Sequence, residues 1–216
     1  MTETAKVGIL GSGDVARTLG SGLAGRGHPV LLGSRDPAKL ESWRASTKGS
    51  VAVGRLAEAA SFGPIVILAT HGAGTISAID LAGVAHFSGK LVLDVTNPLD
   101  FSRGMPPTLF VGTTTSLGEM VQHHLPAARV VKCFNTMGHQ RMVDPAFAEG
   151  HPPMLICGND PHAKHEVEAL VRELGWPGVL DVGDIDAARW MEALVPLWVR
   201  IGARLGTFDH MLAPIR

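Results

Sequence analysis

The chain has 216 residues, of which 45% are hydrophobic and only 18% are charged, so its composition is that of a globular protein with a substantial core. Its formal net charge of −1 excludes a strongly basic surface and argues against nucleic acid or anionic membranes as partners. Because the sequence lacks a secretory signal, an apolar run of the roughly 18 residues that span a bilayer, and any disulfide or zinc pattern of cysteines, we expect a cytoplasmic protein without a metal site.

The first half of the chain alternates short apolar runs with helical patterns, which indicates a parallel sheet with crossover helices. Strands are predicted at 6–10, 29–33, 50–53, 64–70 and 90–96, and helices at 14–25, 37–46 and 55–60. Asp36 followed by Pro37 is typical of a helix start, since the first can cap the helix and the second suits its first turn.

The second half adds predicted strands at 128–134, 153–158 and 178–183, and a helix at 161–174 that Asp160 would cap. Together the elements predict an α/β protein: a Rossmann-type doubly wound, mainly parallel sheet over residues 1–183, with a C-terminal helical extension over 184–216.

The extension reads as one long helix over 184–206, which Pro196 should kink. A single apolar stripe is predicted along it, made of Met191, Leu194, Trp198, Ile201 and Leu205. Such a helix either fills the core or forms half of a homodimer interface, and we favour the dimer. A membrane span fits less well, because Arg200 and Arg204 interrupt the apolar surface.

A glycine-rich turn, "GILGSGDVA", follows the first predicted strand and opens the first helix. Gly11 permits the tight turn, Gly13 lets the backbone approach a pyrophosphate, and Ala16, in the third glycine position, keeps helix and sheet close. The amides from Ser12 to Val15 then face the phosphates at the positive end of the helix dipole. In this context the motif predicts a dinucleotide site.

The tip of the second strand, "VLLGSRDP", lacks the acid that usually binds the adenosine ribose about 20 residues after the turn. Ser34 and Arg35 stand there instead, and Lys39 lies one turn into the next helix. A guanidinium pairs with the dianionic 2′-phosphate that an acid would repel. The tip therefore predicts NADP as the cofactor, whereas Arg35 would otherwise be a solvated surface residue.

The chemistry of the site is narrowed by what the chain lacks: it has no tyrosine for a Tyr-Lys proton relay, no H-E-x-x-H zinc motif and no Gly-x-Ser-x-Gly elbow. Short polar groups follow three predicted strands instead, as Thr70-His71, Thr96-Asn97-Pro98 and Phe134-Asn135-Thr136. Hydride transfer between two rings needs stacking and exclusion of water rather than a proton relay.

The segments "KVGILGSGDVARTLGSGLAGRGHPVLLGSRDP", "GKLVLDVTNPL", "VVKCFNT" and "DAARWMEALVPLWVRIG" together resemble the NADP oxidoreductase, coenzyme F420-dependent family. Better-known members of that family pass hydride between NADP and a reduced deazaflavin. The segments also resemble the nucleotide domain of the transmembrane metalloreductases, which pass electrons from NADPH to a flavin. The chain departs from the archaeal deazaflavin members after the fourth strand, where "ATHGAG" replaces their Val-Pro pair.

The resemblance implies a role for each candidate residue. It would place Gly11, Ser12, Gly13, Asp14 and Val15 around the pyrophosphate, and Ser34 and Arg35 around the 2′-phosphate. It would place Thr70 and His71 beside the nicotinamide ribose, Asn97 and Pro98 beside the nicotinamide, and Asn135 and Met137 on the side of the second substrate.

Several readings stay open. His71 and Asn135 are the candidate catalytic residues, although His71 could equally be a histidine bonded to a loop carbonyl. Arg103 lies on a long loop, "LDFSRGMPPTLFVGTTTS", that we predict to be a lid, and it could reach an acidic tail of the partner or equally only solvate the loop. The favoured function is hydride transfer between NADP(H) and a small-molecule redox partner, coenzyme F420 or a flavin. The alternatives are reduction of a small imine or carbonyl, and a non-catalytic NADP(H) sensor.

Overall fold

A computed structural model of the chain describes residues 4–148 and 150–214. The outer limits of the two predicted domains, at residues 1 and 216, therefore lie outside the described residues. The strands are β1 (Val7–Leu10), β2 (Val30–Gly33), β3 (Val51–Gly54), β4 (Ile65–Leu68), β5 (Leu91–Asp94), β6 (Leu99–Asp100), β7 (Thr108–Leu109), β8 (Arg129–Lys132), β9 (Met154–Gly158) and β10 (Val179–Asp181). The helices are α1 (Asp14–Ala24), α2 (Glu41–Ser46), α3 (Leu56–Phe62), α4 (Thr75–Ala82), α5 (Leu117–His124), α6 (Pro161–Glu173), α7 (Ala188–Ala193) and α8 (Val195–Leu205).

The main sheet has 8 strands in the order β10-β9-β8-β5-β4-β1-β2-β3. Neighbouring strands run parallel except for β8 and β9. The chain builds outward from β1 through β2 and β3, then returns to β4 on the other side of β1. The order of the strands thus reverses between β1 and β4, and this switch point is where a doubly wound sheet binds ligands, outside the carboxyl ends of its strands. The predicted Rossmann-type, mainly parallel sheet is confirmed.

The sheet carries a layer of helices on each face, because alternate residues of its strands point to opposite sides. Ile9 and Ile67 belong to a core that includes buried residues of α1 and α6. Their neighbours Leu10 and Leu68 belong to a second core, which includes buried residues of α3, α4, α5 and α7. All four of these strand residues are completely buried. Strands β1 and β4 are therefore free of polar side chains, as strands covered on both faces usually are.

Some local predictions need correction. Residues 37–46 form a 3-10 turn over Pro37–Leu40 and then α2, not one helix. Asp36 precedes that turn but its side chain does not cap it, and the carboxylate lies 3.7 Å from Nζ of Lys39 instead. Asp160 caps α6 as predicted, since its carboxylate accepts a hydrogen bond from the Ala163 amide at 2.9 Å. The predicted strands and helices omitted α4 and α5.

The C-terminal extension contains two helices rather than one. The helix is interrupted at Leu194, two residues before Pro196. The predicted apolar stripe is only partly correct, since Met191 is buried and Trp198 and Ile201 are half-buried, but Leu194 and Leu205 are exposed. The buried residues of the two helices are Ala188, Met191, Glu192, Val195, Val199 and Gly202. Larger apolar side chains lie outside instead: Trp190 is 64% exposed, Leu194 39%, Leu197 50% and Leu205 62%. When a helix has two apolar faces, hydrophobic periodicity does not show which of them packs against the protein core and which is exposed, since both carry the same kinds of residue.

Within the two described stretches of the chain, no helix combines the length and the apolar character that crossing a membrane requires.

Candidate functional site

The glycine-rich turn leaves β1 at the switch point and starts α1. Gly11 has φ of +145°, and a Cβ there would lie 2.3 Å from the Ala69 carbonyl oxygen at the end of β4. Glycine is therefore required by the fold at this position. Gly13 is different: a Cβ there would meet no protein atom within 4 Å. The space in front of the α1 N-terminus is open, and the first free amides of the helix face it.

A cleft of about 460 Å³ runs along the carboxyl ends of β1, β2 and β4, and we call it the switch-point cleft. Seven predicted residues line it: Gly11, Ser12, Gly13, Ser34, Arg35, Thr70 and His71. Sequence reasoning missed its other walls, which are Gly33, Leu56, Ala69, Gly74, Ser77, Ala78 and Leu81. Leu56 and Leu81 add apolar surface to the walls of the cleft. Most of the missed residues come from α3 and α4, which no motif marks.

The tip of β2 presents the buried hydroxyl of Ser34 and the exposed guanidinium of Arg35 to the cleft. Ser34 is only 8% exposed, and its hydroxyl accepts a hydrogen bond from the Asp36 amide at 3.1 Å. This bond leaves the hydroxyl hydrogen available to a ligand. Arg35 is exposed and lines the cleft. Lys39 does not line it, and the nearby Asp36 carboxylate partly neutralises its ammonium.

Thr70 and His71 follow β4 at the centre of the switch point. The Thr70 hydroxyl lies 2.9 Å from the hydroxyl of Thr75, which is buried at the start of α4. The His71 ring lies 6.1 Å from the ring of Phe101, centroid to centroid. Among the described residues no hydrogen bond involves the His71 ring, so the reading in which it binds a loop carbonyl finds no support. His71 stands at the boundary between the switch-point cleft and the next cavity.

That next cavity, of about 440 Å³, lies at the ends of β5 and β8, and we call it the apolar pocket. Its walls come from five parts of the chain: Val15; Val95, Asn97, Leu99, Phe101 and Met105; Phe134, Asn135, Met137, Gly138, His139, Gln140 and Met142; Val195, Trp198 and Val199; and Phe208. Among these described wall residues the sole titratable side chain is His139. The pocket is therefore suited to a flat, largely uncharged group, which aromatic and methionine side chains contact well.

Asn135 is the main polar group in the wall of the apolar pocket, and it is only 4% exposed. Its Nδ2 donates hydrogen bonds to the Thr96 carbonyl oxygen at 3.3 Å and to Asn97 Oδ1 at 2.8 Å. These acceptors fix the orientation of the amide. Its Oδ1 is buried and has no partner in residues 4–148 and 150–214. An unpaired buried acceptor costs free energy, about 1–3 kcal/mol, unless a ligand supplies an N–H.

The backbone at Phe134 presents Asn135 to the pocket. Phe134 has φ of 59° and is 1% exposed, an uncommon conformation for a bulky residue. Such conformations cost about 1–3 kcal/mol and persist where the surrounding structure enforces them. Here the turn directs the chain out of β8 so that Asn135 meets Asn97 across the strand ends. The sequence "FNT" gave no sign of this conformation.

The C-terminal extension closes the apolar pocket, which sequence reasoning did not anticipate. Trp198 of α8 donates from Nε1 to the His210 carbonyl oxygen at 3.1 Å, and its ring stacks on His210 at 5.0 Å. The following segment returns to β8, where the Thr136 hydroxyl donates to the Leu212 carbonyl oxygen at 2.8 Å. Residues 184–214 are thus part of the candidate site as well as a packing element.

The long loop predicted as a lid contributes the opposite wall. It contains the small hairpin of β6 and β7, and its Phe101 and Met105 are 44% and 61% exposed although both line the apolar pocket. Arg103 is exposed on the same loop and lines neither cavity. The loop's position over the pocket fits the lid prediction.

The structure brings the predicted residues into two adjoining groups. Beyond the seven in the switch-point cleft, the apolar pocket holds Val15, Asn97, Asn135 and Met137. Asp14, Lys39 and Pro98 line neither cavity. The two cavities meet at the loop after β4, since a Cβ on Gly72 would lie 2.0 Å from the Asn97 carbonyl oxygen.

Cysteine chemistry does not operate at this site. Cys133 and Cys157 are completely buried. Burial raises the pKa of Cys157 to about 12 and that of Cys133 well above its ordinary value, so neither is a thiolate at neutral pH. In the described part of the chain, no group of three or more His, Cys, Asp or Glu side chains is placed to hold a metal ion.

Comparisons with known proteins agree with this geometry. The sequence model of the family described as NADP oxidoreductase coenzyme F420-dependent matches residues 6–98. A crystal structure from Arthrobacter sp. FB24, provisionally named an F420-dependent NADP-reductase, superposes with a TM-score of 0.94 and 42% sequence identity. The match covers 98% of this chain and 100% of that one.

Two curated proteins are similar to this chain over most of its length. The F420-dependent NADP reductase of Methanocaldococcus jannaschii is 29% identical over 213 residues, which are 92% of this chain and 93% of that protein. Metalloreductase STEAP3 of Rattus norvegicus is 34% identical over 200 residues, which are 91% of this chain. This chain spans only 38% of the length of that metalloreductase.

Proposed function

Since the chain belongs to the NADP oxidoreductase, coenzyme F420-dependent family, we propose that this NADP-dependent oxidoreductase transfers hydride between NADP(H) and a deazaflavin or flavin ring. The observation that carries the proposal is the junction of two unlike cavities. A cleft built on a phosphate-type glycine turn opens at His71 into an apolar pocket lined by aromatic and methionine side chains. NADP(H) supplies the hydride or takes it up, and the protein supplies binding and orientation.

The residues present fit NADP(H). The open space at Gly13 leaves room for a pyrophosphate in front of the α1 amides, and Ser34 with Arg35 would take the 2′-phosphate. The nicotinamide would then lie at the boundary of the two cavities, near Asn97 and Asn135. Its carboxamide offers the N–H that the buried Asn135 Oδ1 lacks.

The apolar pocket fits the acceptor ring on similar grounds. Stacking two rings at contact distance and excluding water accounts for much of the catalysis of a hydride transfer, and neither requires a proton relay. Phe101, Met105 and Trp198 would cover the ring on the solvent side. Arg103, exposed on the same loop, would be free to pair with an acidic tail of the acceptor.

The alternatives make different demands on the site. Reduction of a small imine or carbonyl needs a proton donor. The histidines in the walls of the two cavities are His71 in the switch-point cleft and His139 in the apolar pocket, and either could serve as that donor. A sensor of NADP(H) needs no acceptor at all. We favour the ring acceptor because the apolar pocket is wide and its walls are almost entirely uncharged.

A spectrophotometric screen tests the function. Purified protein and NADPH are combined with coenzyme F420, with flavins, and with panels of imines and carbonyls, and the loss of NADPH absorbance is followed. Turnover with a deazaflavin or flavin alone supports the proposal. Turnover confined to imines or carbonyls supports the alternative enzyme, and tight NADPH binding without any turnover supports the sensor.

The 2′-phosphate assignment predicts a selective effect of Arg35→Ala. We expect the variant to bind NADPH more weakly by about 1–3 kcal/mol, because a charged hydrogen-bonded pair is lost, and to bind NADH almost unchanged. Isothermal titration with both nucleotides measures the difference. Arg44→Ala is a matched control, since Arg44 is exposed on α2, pairs with Glu41 at 2.7 Å and does not line the cleft. Equal losses for NADPH and NADH would contradict the assignment.

The homodimer also remains a proposal, now with a specific surface. Trp190, Leu194 and Leu197 form an exposed apolar face on α7 and α8, and we expect a second copy of the chain to cover it. Leu197→Glu should convert a dimer into a monomer in light scattering, because it would bury a carboxylate in the interface. Val182→Glu, also on an exposed residue, should have no effect. A monomeric wild type would refute the dimer.

The cytoplasmic location, and the absence of nucleic-acid and membrane partners, stay predictions.

A further inference from the structure

Three buried charged side chains lie directly beneath the apolar pocket. Lys132 is the last residue of β8, Asp94 is the last residue of the neighbouring β5, and Glu192 belongs to α7. The Lys132 ammonium lies 2.8 Å from Asp94 Oδ2 and 2.6 Å from Glu192 Oε1. The side chains are 0%, 0% and 2% exposed. We call them the buried triad.

Both carboxylates of the buried triad face hydrogen-bond donors only. Oδ1 of Asp94 accepts from the Thr96 amide at 2.9 Å and from the Thr96 hydroxyl at 2.6 Å. The Glu192 carboxylate accepts from the amides of Leu117 and Gly118, at 2.8 and 3.0 Å, at the N-terminus of α5. Free helix amides stabilise negative charge there. The surroundings of both groups are thus those of ionised carboxylates.

The ammonium is charged as well. Burial alone would lower the pKa of Lys132, but the Asp94 and Glu192 carboxylates outweigh it and raise this pKa above its ordinary value. Because the contacts of both carboxylates come from hydrogen-bond donors, the buried triad combines two negative charges with one positive charge. Its net charge is −1, and solvent does not screen it.

The buried triad is connected to the candidate site by direct contacts. The Lys132 ammonium also donates to the Thr96 carbonyl oxygen at 2.7 Å. The same oxygen accepts from Nδ2 of Asn135, which in turn binds Asn97. Both amide side chains line the apolar pocket. One carbonyl group thus separates the buried charge from the two residues placed at the nicotinamide.

We propose that the buried triad is a positioning device that fixes the loop carrying Asn97 and, through its net negative charge, favours the oxidised over the reduced nicotinamide. This inference rests on the proposed placement of the nicotinamide beside Asn97 and Asn135. When hydride leaves, the C4–H bond breaks and both its electrons go with the hydrogen to the acceptor. The ring changes from neutral to singly positive, so a nearby negative charge stabilises the product form and the transition state that leads to it.

The presence of a second carboxylate, that of Glu192, suggests that the buried triad has an electrostatic role in addition to a structural one. One carboxylate suffices to neutralise one buried ammonium, and Asp94 already does so from the adjacent strand. Glu192 adds a further charge from the C-terminal extension, and burying such a charge is costly unless something compensates it. The α5 amides compensate part of that cost. The remaining charge makes α7 an electrostatic component of the site.

Glu192→Gln in the full chain tests the proposal. Glutamine keeps an oxygen that accepts from Lys132 while the negative charge is removed. We expect the ratio of the dissociation constants, NADP⁺ over NADPH, to rise on the order of three- to tenfold, because only the oxidised ring is charged. NADPH binding should change little. Intrinsic fluorescence titration measures both constants without any acceptor, so a wrong acceptor assignment leaves this test intact.

Two further variants make the result decisive. Glu119→Gln is the matched control: Glu119 of α5 pairs with Arg189 of α7 and so joins the same two helices, but it makes no hydrogen bond to Thr96. It should leave the ratio unchanged. Asp94→Asn removes the same charge from the sheet and should raise the ratio as Glu192→Gln does, which covers the case in which that variant fails to fold. An unchanged ratio, or equal weakening of both nucleotides, in the folded variants would overturn the proposal.

Discussion

Gly13→Val is expected to abolish binding of NADPH and NADH alike while the protein stays folded. A Cβ at this position meets no protein atom within 4 Å, and the backbone, at φ −81° and ψ −178°, is extended and open to valine. The fold therefore tolerates the side chain. It would project instead into the space that the pyrophosphate needs in front of α1. Losing two hydrogen bonds to a charged group, at about 1.5–3 kcal/mol each, would weaken binding by about 3–6 kcal/mol.

Titration calorimetry with NADPH and NADH measures the loss of binding, and a thermal melt shows whether the variant stays folded. Gly112→Val is a suitable control, since a Cβ there is also unhindered but the residue lies outside both cavities. Gly11→Ala provides the contrast, because its φ of +145° and the nearby Ala69 carbonyl should make it unstable. Wild-type affinity in Gly13→Val would mean that the phosphates bind elsewhere.

Lys132→Met is expected to lower the free energy of unfolding by about 3–5 kcal/mol, the usual cost of removing one partner from a buried ion pair. The variant would leave Asp94 and Glu192 as two buried carboxylates without a cation. For a chain of this length the melting temperature should fall by about 6–20 °C. Urea unfolding at neutral pH gives the free energy directly. A loss below about 1 kcal/mol would show that the two carboxylates find other compensation.

The same variant carries a pH test. Because the folded state raises the pKa of Lys132, its stabilisation is complete below the ordinary value of 10.5 and is lost as pH rises through the folded-state pKa. The difference in stability between wild type and Lys132→Met should therefore narrow as pH rises above 10.5. Lys39→Met, which removes an exposed cation 3.7 Å from Asp36, should cost no more than about 1 kcal/mol at any pH.

Short segments of the sequence located seven residues of the switch-point cleft, whose role in binding a nucleotide stays a prediction. The glycine turn, the tip of β2 and the loop after β4 are each a few consecutive residues at the end of an apolar strand, and parallel strands bring such ends to one edge of the sheet. The helices α4 and α5 escaped prediction. In "TISAIDLA" the apolar and small residues leave no clear polar face, so the periodicity that marks a surface helix is weak.

The buried triad depends on contacts between residues that are distant in the sequence. Asp94 and Lys132 are 38 positions apart, and Glu192 contacts amides 74 and 75 positions before it. No short segment contains two members of this group, so no motif could mark it. The strained backbone at Phe134 is likewise imposed by packing around it rather than by its own preference.

The sequence by itself determined the doubly wound sheet, the glycine-rich turn and the exchange of an acid for Ser34 and Arg35, because each depends on residues that are neighbours along the chain. Only the tertiary structure decided that the C-terminal helices close the apolar pocket through Val195, Trp198 and Val199 and leave Trp190, Leu197 and Leu205 outside. The physical reason is that hydrophobicity favours burial of an apolar helix face but does not specify its partner. Only packing against the rest of the chain determines which face is buried and which residues cover it.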